Sequence, residues 1–566
     1  MAAVMFKNIF FRIFVGFHGT FLLHPVCLTQ ELRASPFLPN TAYLWGSNAP
    51  IEFCDELHDI HIDMSLFALS GSPRKQITEQ GIALFYIHKL GYYPFVELHT
   101  GENVNGGLPQ LGCLKKHLDK ANNDIRYYIA SNTPGLAVID WPEWRPIWGR
   151  NTGLKEVYME RSIELELKKN PSFAYWQAIR AAENEFQEAG RGFMAETLKL
   201  GRSLRPKSLW GFYFFPECYN KDYQKPEFTG TCADIEKERN NDLLWLWKES
   251  TALYPSVYLN TRITAKNQAI FVRNRVQEAF RISQIQDPKN PLPVIAYFRP
   301  VFTDKPEIFL SKNDLVHTIG ESMALGVSGL VMWGGYEIIR SLEDCRSIDS
   351  FVSETLNPYI INVTLAAKMC NQVLCQDKGV CIRKNWNSSD YLHLNSETFA
   401  IQAMKGGNYA MHGHPTIKDL RHFTQNFRCS CYAGVNCKTT VDVKTTDNIY
   451  VCVGHDICIN TLVSPKLSDK SRWNKRASIA YSNVSFSTPL ARVAPCVPEK
   501  DLNENLKTKC LVEVLSNNLQ EDNQSHIYIQ DNKNEIISSS TSSVLIKFPF
   551  YILHVLIAFT LIYLVI

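Results

Sequence analysis

Sixteen cysteines stand in a chain with an apolar stretch at each end, and this combination constrains the fold most. Disulfide bonds persist in oxidising compartments and are rare in the cytosol, so the pattern predicts a protein of the secretory pathway. The 566 residues are 45% hydrophobic and 20% charged, which is typical of a globular protein with a large core. A formal net charge of +3 is too balanced for a nucleic-acid binder that works by bulk charge.

The two apolar ends predict a secretion signal and a surface anchor. Residues 1–29 combine basic residues with a short apolar stretch, which is typical of a signal peptide. Residues 544–566 end in a continuous apolar run preceded by small residues, and this fits either a GPI-attachment signal or a single membrane span. Both alternatives place the folded body outside the cell. Four Asn-x-Ser/Thr triplets predict N-glycosylation there: Asn362, Asn387, Asn483 and Asn523.

Between residues 35 and 350, short apolar runs alternate with amphipathic stretches. The apolar runs predict strands at 83–87, 135–141, 209–214, 293–298 and 328–333. A spacing of three to four between apolar residues predicts helices at 176–200 and 269–284, and residues 312–333 are interpreted as helix, glycine turn and buried strand. The repeated alternation predicts an α/β fold, a parallel (β/α) TIM-like barrel.

Cysteines become dense between residues 366 and 460. Six of them resemble the pattern of an epidermal-growth-factor-like module with a long insertion: Cys370, Cys375, Cys381, Cys429, Cys431 and Cys437. A zinc site is the competing interpretation, but no Cys-x2-Cys pair repeats and the context is extracellular. Residues 461–543 are rich in Ser, Asn, Lys and Thr, which predicts a mostly disordered stalk.

The densest chemical signal lies at residues 135–151, GLAVIDWPEWRPIWGRN. Asp140 follows an apolar strand, and the carboxyl ends of strands hold the active site in a parallel barrel. We expect Trp141, Trp144 and Arg145 to bind substrate, because exposed Trp faces stack on sugar rings and Arg pairs with carboxylates. The alternative interpretation is a buried strand followed by an aromatic corner of the core.

Together with further motifs, this segment resembles the animal hyaluronidases, most closely the sperm-surface members, over residues 35–460. The further motifs are LGYYP at 90–94, NGGLPQ at 105–110, LRPKSLWGFYFFPECYN at 204–220, ESTALYPSVYL at 249–259, VFTD at 301–304 and INVTLAAKMC at 361–370. The resemblance implies a distorted (β/α) barrel with an appended EGF-like module. It also implies cleavage of the β-1,4 bonds of hyaluronan. We expect no cofactor and no metal.

The resemblance implies a disulfide map and a location. The implied pairs are Cys54–Cys345, Cys218–Cys232, Cys370–Cys381, Cys375–Cys429, Cys431–Cys437 and Cys452–Cys458. Cys113, Cys496 and Cys510 are left over, and the last two could pair in the stalk. We expect the protein on the extracellular face of the plasma membrane, on sperm or on the acrosomal membrane. Its partners are hyaluronan or a related glycosaminoglycan and the membrane, with no nucleic acid, and its oligomeric state stays open.

In the family the reaction is a substrate-assisted, retaining hydrolysis that uses an Asp-x-Glu motif. Asp orients the acetamido group of the substrate, and Glu is the general acid. Here Asp140 is present but Pro142 stands at the acid position. Glu143 is the candidate substitute, although an offset of three in an extended chain points to the opposite face. We therefore expect hydrolysis to be weak or lost, and the alternative is a catalytically silent protein that binds hyaluronan or acts in adhesion.

Three further residues match cleavage-site positions of the family. The resemblance implies that Tyr213 and Tyr254 hydrogen-bond the acetamido group and the sugar hydroxyls, and that Trp333 forms an apolar wall. Two positions at the mouth of the cleft differ from the family, since Ser47 and Thr152 stand where tryptophan is common.

Overall fold

The structure is a computed structural model that describes residues 31–404, 408–437, 448–454 and 456–462. These residues belong to one compact unit, Met1–Ala494. The predicted signal peptide, stalk and C-terminal anchor lie outside the described residues, as do Asn483 and Asn523. Among the helices that the structure describes, none is long and apolar enough to cross a membrane.

The described residues form fifteen strands. In chain order they are β1 Leu44–Ser47, β2 Leu69–Ser70, β3 Ile82–Phe85, β4 Phe95–Val96, β5 Asn103–Val104, β6 Gly135–Ile139, β7 Ser208–Phe212, β8 Ile295–Phe298, β9 Gly329–Met332, β10 Gly379–Arg383, β11 Phe399–Ala403, β12 Tyr409–Gly413, β13 Phe427–Cys431, β14 Asn448–Val453 and β15 Ile457–Leu462.

Two parallel sheets carry the part of the fold that positions the site. Their strand orders are β2-β1-β9-β8 and β3-β6-β7. Residues 253–256 join them, because they form parallel bridges both to Tyr213 after β7 and to the β8 side at Val294 and Tyr297. All these strands run in one direction, so their carboxyl ends share one edge.

One buried cluster fills the space that these strands enclose. Alternate residues of each strand point to it, as the two-residue period of a strand requires. Its members are Leu44, Ile82, Leu84, Leu136, Val138, Ala252, Tyr254, Tyr258, Ile295, Tyr297 and Val331. The strands therefore share one interior, which we call the strand interior.

Twelve helices connect and cover the strands in the described part of the chain. They are α1 Glu52–His58, α2 Leu114–Tyr128, α3 Glu156–Lys169, α4 Tyr175–Leu204, α5 Asp234–Asp242, α6 Leu244–Glu249, α7 Ala265–Ser283, α8 Lys312–Leu315, α9 Glu321–Ala324, α10 Leu342–Phe351, α11 Asn357–Cys375 and α12 Ile417–Asn426. In α4 the buried residues Ala178, Ala182, Phe186 and Gly190 recur every four positions, which explains the amphipathic pattern of its sequence.

The predicted strands and helices of residues 35–350 are confirmed, with boundaries that shift by no more than four residues. The predicted helix, turn and strand of 312–333 correspond to α8, a π-helical turn at Val316–Gly320, α9 and β9, and Gly326 makes the turn at φ 85°. The sequence did not predict β1, whose four residues LWGS lack the length and alternation of a strand signal.

The cysteine-rich part begins on a helix, because α11 continues to Cys375 and carries Cys370 as well. The helix therefore extends ten residues into the cysteine-rich part that begins at residue 366. Antiparallel pairs β10–β13, β11–β12 and β14–β15 follow.

The described residues contain six disulfide bonds, and these join the six pairs that the family resemblance implied. The sulfur atoms of Cys429, Cys431 and Cys437 lie within 4.8 Å of one another. Each of them belongs to a disulfide bond, so none is a thiolate available to zinc. Cys113 is a free and exposed thiol.

Candidate active site

The carboxyl ends of the parallel strands bring six side chains together. Each follows an interior residue of its strand segment by two or four positions, so it has the same orientation as the residues of the strand interior. We call this set the cleft group; it consists of Tyr86, Asp140, Tyr213, Tyr258, Arg299 and Trp333. Asp140, for example, comes two residues after Val138, and Arg299 comes two residues after Tyr297.

Asp140 supplies the carboxylate of the cleft group. Its backbone N–H donates to the carbonyl of Phe85 at 2.9 Å, which fixes the end of β6 against the end of β3. Burial and then the nearby Asp140 carboxylate raise the pKa of Tyr213 to about 12. The same two causes raise the pKa of Tyr86. Both hydroxyls therefore stay protonated and can donate hydrogen bonds at physiological pH.

Three aromatic rings of the cleft group lie close together. The rings of Tyr258 and Trp333 stack with centroids 6.1 Å apart, and Tyr213 lies 6.2 Å from Tyr258. The indole N–H of Trp333 donates to the hydroxyl of Tyr86 at 3.4 Å. Tyr86, Asp140, Tyr213 and Trp333 are half-buried, so they form an accessible surface.

Pro142 is half-buried, and its carbonyl is held by two cations. Arg145 donates to it at 2.9 Å through Nη1, and the Lys155 ammonium donates to it as well. Lys155 also donates to the carbonyl of Glu143 at 3.2 Å. The backbone after Asp140 is therefore fixed by side chains that do not depend on what residue 142 carries.

Glu143 is 6% exposed and lies next to Tyr93. Burial and then the Glu143 carboxylate raise the pKa of Tyr93, whereas Asp140 acts on Tyr86 and Tyr213. The ring of Tyr93 stacks on Trp141 at 4.5 Å and on Trp144 at 5.2 Å, outside the cleft group. Asp140 and Glu143 therefore influence two different groups of tyrosines.

Trp141, Trp144 and Arg145, which we expected to bind substrate, have partners inside the protein. The two tryptophans are 6% and 2% exposed, and Trp144 donates its indole N–H to the carbonyl of Pro94 at 2.8 Å. Both tryptophans point away from the strand interior. Trp141 packs edge-on against His117 there, so the two rings form an aromatic corner of the core. The Arg145 guanidinium pairs with the buried carboxylate of Glu217 at 2.6 Å, so its charge is already balanced within the protein.

Tyr254 does not lie with the cleft group. Its side chain is fully buried, and its hydroxyl donates to the carbonyl of Leu209 near the start of β7, far from the carboxyl edge. Tyr254, which we expected to contact the substrate, therefore lies apart from the cleft group, and Tyr258, four residues later, belongs to that group. Residues 253–256 form only isolated bridges, and such an irregular strand gives no register signal in the sequence.

Ser47 is placed differently from the expectation that it lies at the mouth of the cleft. Ser47 has the orientation of Trp45, whose indole N–H donates to Thr364 on α11 at 3.1 Å, so it faces the helices and not the cleft. Thr152 is exposed. The sequence interpretation missed Tyr86, Tyr258 and Arg299. Counting two residues on from the interior residues Leu84 and Tyr297 would have found the first and the last of these.

The sequence pattern of the hyaluronidase family matches residues 32–442. The chain is 54% identical over 471 residues to hyaluronidase PH-20 of Macaca fascicularis, a match that covers 82% of this chain and 92% of the relative. It is 49% identical over 514 residues to hyaluronidase-5 of Mus musculus, with 89% and 97% covered.

A solved structure is similar as well, that of bee venom hyaluronidase in complex with a hyaluronic acid tetramer. It matches with a TM-score of 0.50 and 27% identity over 56% of this chain and 98% of that chain. The family match spans well over half of the sequence, and the relatives are similar over most of their length. The chain therefore belongs to the hyaluronidase family.

Proposed function

We propose that this chain binds hyaluronan in the cleft formed by the cleft group, and that it hydrolyses the polymer weakly or not at all. The parallel strands close into a distorted (β/α) barrel, and the cleft lies at its carboxyl edge, where parallel barrels hold their active sites. The appended cysteine-rich part is an EGF-like module. The similarity to a bee venom hyaluronidase complexed with a hyaluronic acid tetramer supports the choice of ligand.

The proposed chemistry uses the substrate's own acetamido oxygen as the nucleophile. Asp140 orients that acetamido group, and the protonated hydroxyl of Tyr213 donates to it. Trp333 and Tyr258 form an apolar wall for the sugar ring. The leaving oxygen would require a proton donor at residue 142, and proline has none.

One observation carries the proposal of weak or lost hydrolysis. Pro142 occupies the position of the acid, and the buried carboxylate of Glu143 acts on Tyr93, which is not a member of the cleft group. General acid catalysis contributes about 10²–10⁴-fold to rate, so its loss leaves a cleft that binds far better than it cleaves. This observation equally favours the second candidate, a silent hyaluronan-binding or adhesion protein.

Replacing Pro142 by an acid tests the proposal. The full chain, made in a secretory host, should show hyaluronan hydrolysis near or below detection from pH 4 to 8. Pro142→Glu should raise turnover about 10²-fold or more, because it restores the proton donor two residues after Asp140. Pro142→Gln is the matched control, since it makes the same backbone change without an acid, and it should stay inactive.

A second control addresses Glu143. In the wild-type background, Glu143→Gln should leave the low activity unchanged. If wild type is instead robustly active and Glu143→Gln abolishes hydrolysis, then Glu143 enters the cleft during turnover and the chain is an ordinary hyaluronidase with a shifted acid. If no variant binds or cleaves hyaluronan, the proposed ligand is wrong.

We also propose a surface location. The apolar stretch at 544–566 would hold the mature protein on the outer face of the plasma membrane, by a GPI anchor or by a span. The similarity to hyaluronidase PH-20 of Macaca fascicularis supports the sperm or acrosomal surface as the setting.

A further inference from the structure

The guanidinium of Arg299 is buried in the wall of the cleft. Its side chain is 4% exposed, and its central carbon lies 5.0 Å from the centre of the Trp333 ring and 6.0 Å from that of Tyr258. It follows Tyr297 by two residues, so it has the interior orientation of the cleft group. A charge in this place lies close to any ligand that stacks on Trp333.

Arg299 has a partner, but the pair is incompletely satisfied. Nη2 of Arg299 donates to Oε1 of Glu337, whose side chain is 7% exposed. Glu337 folds back over Gly335 so closely that a side chain at Gly335 would collide with its carboxylate. Nε of Arg299 and Oε2 of Glu337 have no hydrogen-bond partner among the described residues. A buried ion pair that leaves polar atoms unsatisfied is a poor device for stability, which points to a role in ligand binding.

The second relevant charge is that of Asp140. Hyaluronan carries a carboxylate on every uronate, and it would approach an Asp140 carboxylate of the same sign. Charges interact strongly in a site shielded from water, so an uncompensated carboxylate would repel the polymer. Arg299 supplies the opposite sign within the same cleft, since both charges act on Tyr213: Asp140 raises its pKa and Arg299 opposes that rise.

We infer that Arg299 is a specificity-determining residue, whose charge makes the cleft prefer uronate-containing, anionic polysaccharides to neutral polymers of N-acetylglucosamine. The inference rests on the proposed function, since it concerns the same cleft. Because Arg299 is nearly inaccessible, it acts through its charge and through the Trp333 wall behind which it lies. Glu337 holds the guanidinium in place and offsets part of its charge.

Two hexasaccharides test the inference on the full chain, one of hyaluronan and one of N-acetylglucosamine. Titrations followed by Trp fluorescence give both dissociation constants. Arg299→Gln should weaken binding of the hyaluronan hexasaccharide about tenfold or more, because the attraction between the buried guanidinium charge and the uronate carboxylates is lost. It should leave binding of the neutral hexasaccharide within about twofold. Arg299→Lys keeps the charge and should restore most of the affinity for hyaluronan.

Glu337→Gln is the decisive companion variant. It breaks the same ion pair but leaves the positive charge, so hyaluronan should bind as tightly as to wild type or more tightly. If Arg299 has a purely structural role, Arg299→Gln and Glu337→Gln should weaken binding of both hexasaccharides alike, and that result would overturn the inference. Unchanged hyaluronan binding by Arg299→Gln would overturn it as well. If Arg299→Gln fails to fold in a thermal unfolding check, the Glu337→Gln and Arg299→Lys measurements decide alone. Wild type that binds neither ligand overturns the proposed function together with this inference.

Discussion

Glu321 forms a buried ionic triad with one arginine of the strand-and-helix part and one arginine of the cysteine-rich part. Its carboxylate is fully buried and accepts from Arg273 on α7 at 2.7 Å and from Arg383 on β10 at 2.8 Å. A second contact to each guanidinium, at 3.4 and 3.2 Å, completes a fork on both sides. The triad therefore connects the strand-and-helix part to the cysteine-rich part.

Glu321→Gln should destabilise the protein strongly. The substitution conserves shape, so no cavity forms, but it leaves two buried guanidinium groups without a counter-charge. Removing one partner of a buried pair costs about 3–5 kcal/mol. Unfolding entropy of about 2.1 cal/mol/K per residue over the roughly 420 described residues gives about 0.9 kcal/mol/K. The melting temperature should thus fall by roughly 3–6 °C.

Differential scanning calorimetry of the full chain measures this shift. The matched control is Glu164→Gln on α3, which removes an exposed pair with Lys168 at 3.9 Å, with side chains that are 66% and 78% exposed. Exposed pairs of this kind contribute below about 0.5 kcal/mol, so the control should melt within about 1 °C of wild type. If Glu321→Gln has the same melting temperature as the control, the triad does not stabilise the contact between the two parts and the reasoning is refuted.

Two further predictions concern pH and the membrane. Burial lowers the pKa of His117, whose ring packs between Trp141 and Phe193, to about 4, and an unfolded chain would take up that proton near pH 6.5. The stability that the neutral ring contributes is complete above pH 6.5 and is lost as the pH falls towards 4. Urea unfolding should therefore show a free energy of unfolding about 2–3 kcal/mol lower at pH 4.5 than at pH 7 from this group. His117→Asn should reduce that pH dependence, and an unchanged pH dependence of the free energy of unfolding would contradict the assignment. Phospholipase C treatment of intact cells should release the protein if residues 544–566 specify a GPI anchor. Retention of the protein with an intact tail peptide identifies a membrane span. Full-length protein found soluble in the medium excludes both anchors.

The position of the site could be read from the sequence wherever a strand alternates regularly. GLAVI at 135–139 predicts a buried strand, and Asp140 then follows Leu136 and Val138 on the interior side. The same argument places Tyr213 after β7 and Trp333 after β9. These residues lie in the cleft group because strand geometry alone determines which side they face.

Other residues could not be placed from the sequence, because their surroundings come from distant parts of the chain. Trp141 and Trp144 have the composition of a sugar-binding surface, and only the packing of Tyr93 and α4 against them shows that they are core. Arg145 has the chemistry of a carboxylate binder, but its carboxylate is Glu217, 72 residues away. A residue's type limits what it can do, whereas its partners decide what it does.

The backbone around residue 142 explains why loss of the acid need not disturb the rest of the cleft. Arg145 and Lys155 hold the Pro142 carbonyl, and Glu217 holds Arg145. The buried side chain of Asn151 accepts from the N–H of Arg145 at 2.8 Å and donates to its carbonyl at 2.9 Å. None of these contacts uses the side chain or the N–H of residue 142, so an acid at this position could keep the same backbone partners as proline. We therefore expect Pro142→Glu, the substitution that tests the proposed weak or lost hydrolysis, to need no other change in this segment.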